Sequence, residues 1–235
     1  AIGFDPTRST KLMPELVTSQ LLLDLELRPE ATLTNFLGRV PRELTVEQPW
    51  VYYWGHSGTG RSHLLQAICH AWQSNEKQVM YLPDPGGVSP HILKNLHQYD
   101  LLCLDEADDV LRDASWQVPL FHLFNELRDN GRGLLIAGRT HPLETGISLP
   151  DLRSRFLAMS HVQAAELDED EKQMLLHQRA SRYGFELTDQ VVAYVMSRCA
   201  RDQQSLLRLL DGLAHESLRQ KRRVTIPLVR ELLNL

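Results

Sequence analysis

Cysteine is scarce in this chain. The three present in 235 residues, Cys69, Cys103 and Cys199, lie far apart and without the spacing of a metal site or a disulfide framework. Two of them sit in apolar stretches, Ile68-Cys69 and Leu102-Cys103-Leu104, where a buried, reduced thiol is the ordinary outcome. A chain without a disulfide framework is expected in the cytoplasm. No apolar run approaches the roughly 18 residues needed to span a bilayer, so no membrane role is expected. The opening Ala1-Ile2-Gly3-Phe4-Asp5 lacks the basic stretch and apolar core of a signal peptide. An excess of positive charge is missing too: 25 Lys and Arg stand against 30 Asp and Glu, a net charge of −5. That makes the chain as a whole a poor match for bare DNA or an anionic membrane. Neither internal repeats nor a low-complexity tract occurs. What is present, 43% hydrophobic and 23% charged residues, is the composition of a globular protein with one large domain or two modest ones.

Three regions can be told apart. Residues 1–30 carry no sustained period and read as a flexible arm, within which Met13 is an alternative start. In that arm Leu21, Leu23, Leu25 and Leu27 alternate with other residues, the mark of an extended segment with one apolar edge. A first strand or short helix packed on the body is the other reading. Across residues 31–165, short apolar runs alternate with helical periods. Trp50-Val51-Tyr52-Tyr53-Trp54, Val79-Met80-Tyr81-Leu82, Leu101-Leu102-Cys103-Leu104 and Leu134-Leu135-Ile136-Ala137 read as four strands. Leu64, Leu65, Ile68, Ala71 and Trp72 recur at helical spacing between the first two, and Leu120, Phe121, Phe124 and Leu127 between the last two. This alternation predicts an α/β fold, a parallel sheet between two layers of helices. Over 166–235 only helical periods follow, predicting a small α-helical domain. Asp168-Glu169-Asp170-Glu171 and Thr188-Asp189 are suited to start two of its helices.

The strongest chemical signal is Gly55-His56-Ser57-Gly58-Thr59-Gly60-Arg61-Ser62. It meets the phosphate-loop template G-x-x-x-x-G-K-[ST] at every fixed position except that Arg61 replaces lysine. A strand precedes it and a helix follows, so the loop's N–H groups and the helix N-terminus can hold a phosphate, with Ser62 placed to ligate magnesium. His56 and His63 flank the loop. Lysine is a compact point charge and arginine a planar fork. Phosphate binding is therefore a safer inference here than turnover. The third strand ends in Asp105-Glu106: in phosphate-loop proteins such an Asp orients magnesium, and the next acid can polarise an attacking water. Leu149-Pro150-Asp151-Leu152-Arg153-Ser154-Arg155-Phe156 places two arginines after the fourth strand. One of them is either a finger reaching a neighbour's nucleotide or a surface arginine paired with Asp151. The basic run Arg219-Gln220-Lys221-Arg222-Arg223 reads as a solvated helix end rather than a nucleic-acid patch.

Together these residues resemble an AAA+ ATPase domain, a phosphate-loop αβα domain with a helical lid, and most of all DnaA and its Hda-type homologues. Gly60-Arg61-Ser62-His63-Leu64-Leu65 is similar to their phosphate-loop ending, Leu152-Arg153-Ser154-Arg155-Phe156 to their arginine-finger segment, and Asn35-Phe36 to the motif that opens their nucleotide domain. The resemblance runs from about residue 31 to the end of the chain, which stops where DnaA's helix-turn-helix DNA-binding domain would begin. Gln20-Leu21-Leu22-Leu23-Asp24-Leu25 resembles the Hda family's sliding-clamp peptide, with Asp24 where proline is usual. The resemblance implies a regulator that binds ADP, with or without Mg²⁺, through Phe36 and the loop. It implies docking on the DNA polymerase sliding clamp (the β subunit), and thereby indirectly on DNA and the nucleoid. It further implies Arg155 acting in trans to stimulate hydrolysis of DnaA-bound ATP, which blocks re-initiation. Arg139 stands where the family's strand-four sensor is usually Asp, and the lid's sensor arginine falls on Gln204, with Arg201 and Arg208 close by. The alternative is a self-sufficient AAA+ ATPase, a helicase loader or remodeller acting as a homo-oligomeric ring with Glu106 and Arg155 from neighbouring copies. A small-molecule kinase fits less well, given the lid and the finger segment.

Overall fold

The computed structural model describes residues 27–198, 203–220 and 222–233, with Gln204 and Gln220 as backbone only. The arm peptide Gln20–Leu25, Met13, Cys199 and Arg201 fall outside these residues. Five strands form one parallel sheet: β1 (Trp50–Trp54), β2 (Val79–Leu82), β3 (Leu101–Leu104), β4 (Gly133–Gly138) and β5 (Ser160–Gln163). Their order across the sheet is β2-β3-β4-β1-β5. Helices α1 (Arg61–Gln73), α2 (Asp108–Arg112), α3 (Ala114–Asp129) and α4 (Pro150–Leu157) connect them.

Both faces of this sheet are covered, as the unbroken apolar strands require. Side chains alternate between the layers with period two. Tyr52, Leu102, Leu104, Leu134 and Ile136 pack on one side with Trp116, Leu120, Phe124 and Phe156 of the α3 and α4 layer. Val51, Tyr53, Leu101, Cys103, Leu135 and Ala137 face the other side, against Leu64, Leu65 and Ile68 of α1. Four strands lie where the alternating pattern puts them. β5 does not: its residues are mostly exposed, so no apolar run announced it, and only backbone pairing of 160–163 with β1 defines it.

Strand ends matter more than strand middles for function. The carboxyl ends of β1, β3 and β4 open on one edge of the sheet, where ligands of parallel α/β sheets bind. At the end of β4, Gly138 leaves room for the Tyr52 ring. A Cβ there would stand 2.5 Å from the Tyr52 oxygen, which donates to the Thr140 carbonyl at 2.7 Å and ties down the following turn.

The remaining helices, α5 (Glu169–Arg182), α6 (Asp189–Arg198), α7 (Gln203–Gln220) and α8 (Ile226–Leu233), bury their own cluster, which includes Leu176, Val192, Val195, Leu206, Leu210, Leu213 and Leu228. The acids at 168–171 do start a helix. Asp168 accepts from the Glu171 amide, and Glu171 accepts from the Asp168 amide, a complete capping box. Among the described residues no helix is long and apolar enough to cross a membrane.

Candidate functional site

The phosphate loop runs from Gly55 at the end of β1 into α1. Gly58 and Gly60 both lie in the left-handed region, with φ of 89° and 80°. At Gly60 the demand is double, because a Cβ would also press the Phe36 ring at 3.1 Å. Thr59 closes the turn, its hydroxyl donating to the His56 carbonyl at 2.9 Å. No side chain caps the N-terminus of α1, so its first amides are left for an anion at the positive end of a 13-residue helix.

Arg61 is buried, 4% exposed. One guanidinium nitrogen, Nη2, donates to Glu106 Oε1 at 2.7 Å; the other, Nη1, is buried with no hydrogen-bond partner among the described residues. Glu106 is reached through left-handed backbone, φ 48°. Burial pushes its carboxyl above the usual carboxylate range, with Asp105 and Asp108 adding to the rise against the pull of Arg61 and Arg139. Arg139 Nε stands 3.6 Å from its second oxygen.

Asp105, 2% exposed, accepts from the Tyr81 hydroxyl at 2.7 Å and the Glu106 amide at 2.9 Å. Asp108 gathers the end of β4. It accepts from the Arg139 amide at 2.9 Å, the Thr140 amide at 2.9 Å and the Thr140 hydroxyl at 2.5 Å. Thus the loop, the two acids after β3 and the turn after β4 converge through a chain of charged contacts, and Arg139 joins it beside Glu106. Among the described residues no group of three or more His, Cys, Asp or Glu is gathered to hold a metal. Ser62 at the start of α1 and Asp105 at the end of β3 carry hard oxygen atoms of the kind magnesium takes, with both Asp105 oxygens already accepting, from Tyr81 and from the Glu106 amide.

His56 is exposed on the loop. His63 turns away from it: its Nε2 contacts the Thr32 carbonyl at 3.2 Å, and its ring lies 5.8 Å from that of Phe36. Burial lowers its pKa, which favours the neutral imidazole. Phe36, Gly60 and His63 form one wall of a narrow cleft of about 50 Å³ whose other wall is the lid, through Leu175, Arg179, Arg182 and Gln203. Arg179 stands 3.6 Å from Asp211. Arg179, Arg182 and Gln203 were missed from sequence, although the i, i+3 spacing of Arg179 and Arg182 puts them on one face of α5. On the other side of the loop, Gly55, His56, Thr59, Ala164 and Glu166 line a space of about 280 Å³. A larger cavity, about 530 Å³, lies away from this chemistry, between α3 and the segment around His91–His97.

Arg155 lies on α4, set against the sheet by buried Leu152 and Phe156. Gln117, 2% exposed, holds the approach to that helix: its Oε1 accepts from the Ser148 amide, the Ser148 hydroxyl and the Leu149 amide. The Arg155 guanidinium rests over the Phe121 ring, 5.4 Å from its centroid. Among the described residues no carboxylate pairs with it, so the alternative of a salt bridge to Asp151 is not what the fold contains.

Comparison with known proteins adds three kinds of likeness. Residues 168–233 match the family described as Hda, lid domain. An uncharacterized protein of Haemophilus influenzae is 33% identical over 231 residues, covering 93% of this chain and all of the relative. Domain III of the replication initiation protein DnaA from Thermotoga maritima superposes with a TM-score of 0.77 at 23% identity, over 89% of this chain and 98% of that one. AMPPCP-bound DnaA from Aquifex aeolicus gives 0.64 at 23% identity, over 83% and 70%. The Thermotoga maritima RuvB Holliday junction branch migration motor gives 0.64 at 19%, over 88% and 73%.

Proposed function

Because this chain belongs to the Hda-like, DnaA-homologous AAA+ proteins, we propose that it is a regulator that completes a partner's active site rather than its own. In this reading the α/β part (31–165) and the lid (166–235) hold ADP between them. The loop amides and Arg61 take the phosphates, and Ser62 and Asp105 take a magnesium ion when one accompanies them. Phe36 borders the base. The arm (1–30) contacts the sliding clamp through Gln20, Leu21, Leu23, Asp24 and Leu25, and so reaches DNA. Arg155 acts in trans on ATP held by DnaA.

One observation carries this reading. Arg155 is a half-buried guanidinium on a packed helix, oriented by an aromatic face and committed to no carboxylate among the described residues. A guanidinium held in one direction and left without a carboxylate is available to an anion from outside, which supports the reading. Glu106, by contrast, is engaged by Arg61 at 2.7 Å, which disfavours the self-sufficient ATPase, since the water-polarising acid would first have to be freed.

The test follows the fate of labelled ATP pre-bound to DnaA, with clamp-loaded DNA, in the presence and absence of this chain. Hydrolysis that rises only when all three are together supports the reading. Turnover without DnaA would make the chain an ATPase in its own right.

The arm gives a separable prediction. Replacing Leu23 and Leu25 together with Ala should weaken retention on immobilised clamp by about a hundredfold or more, since two apolar anchors are each worth about 1.5–3 kcal/mol when fully buried. ADP affinity should not change. Retention equal to wild type would remove the clamp from the proposal.

A further inference from the structure

Resting on the reading that the loop holds nucleotide phosphate, we propose that Glu106 is a built-in counter-anion for Arg61, which bound phosphate must displace or share. Three observations meet here. The first is the half-filled fork of Arg61: Nη2 is taken by Glu106 at 2.7 Å while Nη1 is buried with no partner among the described residues. A buried donor of a charged group without an acceptor is rare in a native fold, and arginine presents its donors in pairs suited to two oxygens of one anion. The vacant donor therefore marks the place of an acceptor supplied by a ligand, and Glu106 holds the adjoining one.

The second is how Glu106 gets there. A long side chain at φ 48° is uncommon. The conformation is held by the Glu106 amide donating to Asp105 Oδ1 at 2.9 Å, and such local strain persists where surrounding structure fixes it for use. The third is that the carboxylate has somewhere to go. Its other oxygen is 3.6 Å from Arg139 Nε, and Arg139 is 54% exposed, so Glu106 released from Arg61 keeps a cation beside it.

An incoming phosphate then faces one of two costs. Either it takes both arms of Arg61 and breaks the ion pair, or it takes Nη1 alone and places a second anion beside Glu106 on the same cation. Both oppose binding. Removing the carboxylate therefore strengthens phosphate binding, the reverse of what deleting a ligand-contacting residue does. It also leaves Arg61 unpaired in the free protein, which a ligand can mend. The substitution of arginine for lysine at position 61 is what creates the device. A lysine offers one point charge and no second arm to hold the acid while the first waits.

ADP decides the matter, because it carries no γ-phosphate whose blocked hydrolysis could mimic tighter binding. Titration calorimetry of the full chain with ADP, in EDTA and again in magnesium, should show Glu106→Gln and Glu106→Ala binding about tenfold more tightly than wild type. Without ligand both variants should melt lower, and their rise in Tm on adding ADP should exceed that of wild type. In an Arg61→Lys background the same Glu106 substitutions should change ADP affinity by less than about threefold. ADP binding by wild type that the Glu106 variants match or weaken would overturn the counter-anion. If wild type binds no ADP in either buffer, the nucleotide reading itself fails, and the counter-anion with it. Should the alanine variant not fold, the isosteric glutamine decides.

Discussion

Arg155→Ala is expected to lower stimulation of DnaA-bound ATP hydrolysis by about 10³-fold or more, the scale of an arginine finger supplied in trans, with little change in the chain itself. The small structural cost follows from the contacts. The guanidinium rests over Phe121, an interaction worth about 0.5–1 kcal/mol at a partly exposed site. The α4 helix is held instead by Leu152 and Phe156, both fully buried, and by the Gln117 hydrogen bonds ahead of it. Hence thermal melting and ADP affinity should match wild type while single-turnover hydrolysis of DnaA-bound ATP collapses. Arg155→Lys separates geometry from charge: it keeps the cation but loses the planar fork, so it should recover only a small part of the stimulation. Arg153→Ala, on the exposed side of the same helix, is the matched control and should retain it. A fall in ADP binding or melting temperature in Arg155→Ala would make the residue a structural one. Unchanged stimulation would move the finger elsewhere.

The parts of this fold legible in the sequence are those where burial left no choice of residue. β3 and β4 are buried at every position, so Leu101–Leu104 and the run around Leu134–Ala137 could only be central strands of a parallel sheet. The phosphate loop was legible for a related reason. Gly58 and Gly60 occupy backbone space that other residues adopt only rarely, which makes the motif a direct record of geometry. β5 failed the same test because it lies at the sheet's edge with mostly exposed side chains, and its identity comes from pairing with β1 rather than from its residues.

The candidate site divides along a similar line. That Asp105 and Glu106 end the strand beside the loop was readable from motif spacing; which side chains touch, and which lid residues face the loop, was not. That Arg61 grips Glu106, or that His63 faces Phe36 rather than the phosphates, depends on side-chain directions fixed by long-range packing. The partners lie 45 residues apart in the first case. Asp108 was overlooked for the same reason. In sequence it is one acid among several after β3, and only the return of β4 brings Arg139 and Thr140 onto it.

That return makes Asp108 the residue on which the site's shape depends most. It is 3% exposed and satisfies two backbone amides and a hydroxyl with the Arg139 guanidinium 3.5 Å away. Burial by itself pushes its carboxyl up, but hydrogen bonds from the Thr140 side chain and the Arg139 and Thr140 amides, with the Arg139 charge, outweigh it and hold the pKa below the ordinary 3.8. The group therefore stabilises the fold at pH values above the unfolded Asp range, and that contribution is lost as pH falls through the lower folded value. Asp108→Ala takes the acceptor from two part-buried amides and leaves Arg139 with Glu106 alone. By the scale of leaving hydrogen-bonding groups without their acceptor it should cost about 1–3 kcal/mol at neutral pH, read as a lower urea midpoint. Asp108→Asn keeps an acceptor oxygen but not the charge and should cost less. Both variants should flatten the acid limb of stability against pH, because the group that titrates there is gone. With the turn after β4 released, Arg139 also leaves Glu106, so ADP affinity should shift in the asparagine variant even where it remains folded. An acid limb as steep in Asp108→Asn as in wild type would assign the pH dependence to other carboxylates and reduce Asp108 to one hydrogen-bond acceptor among many.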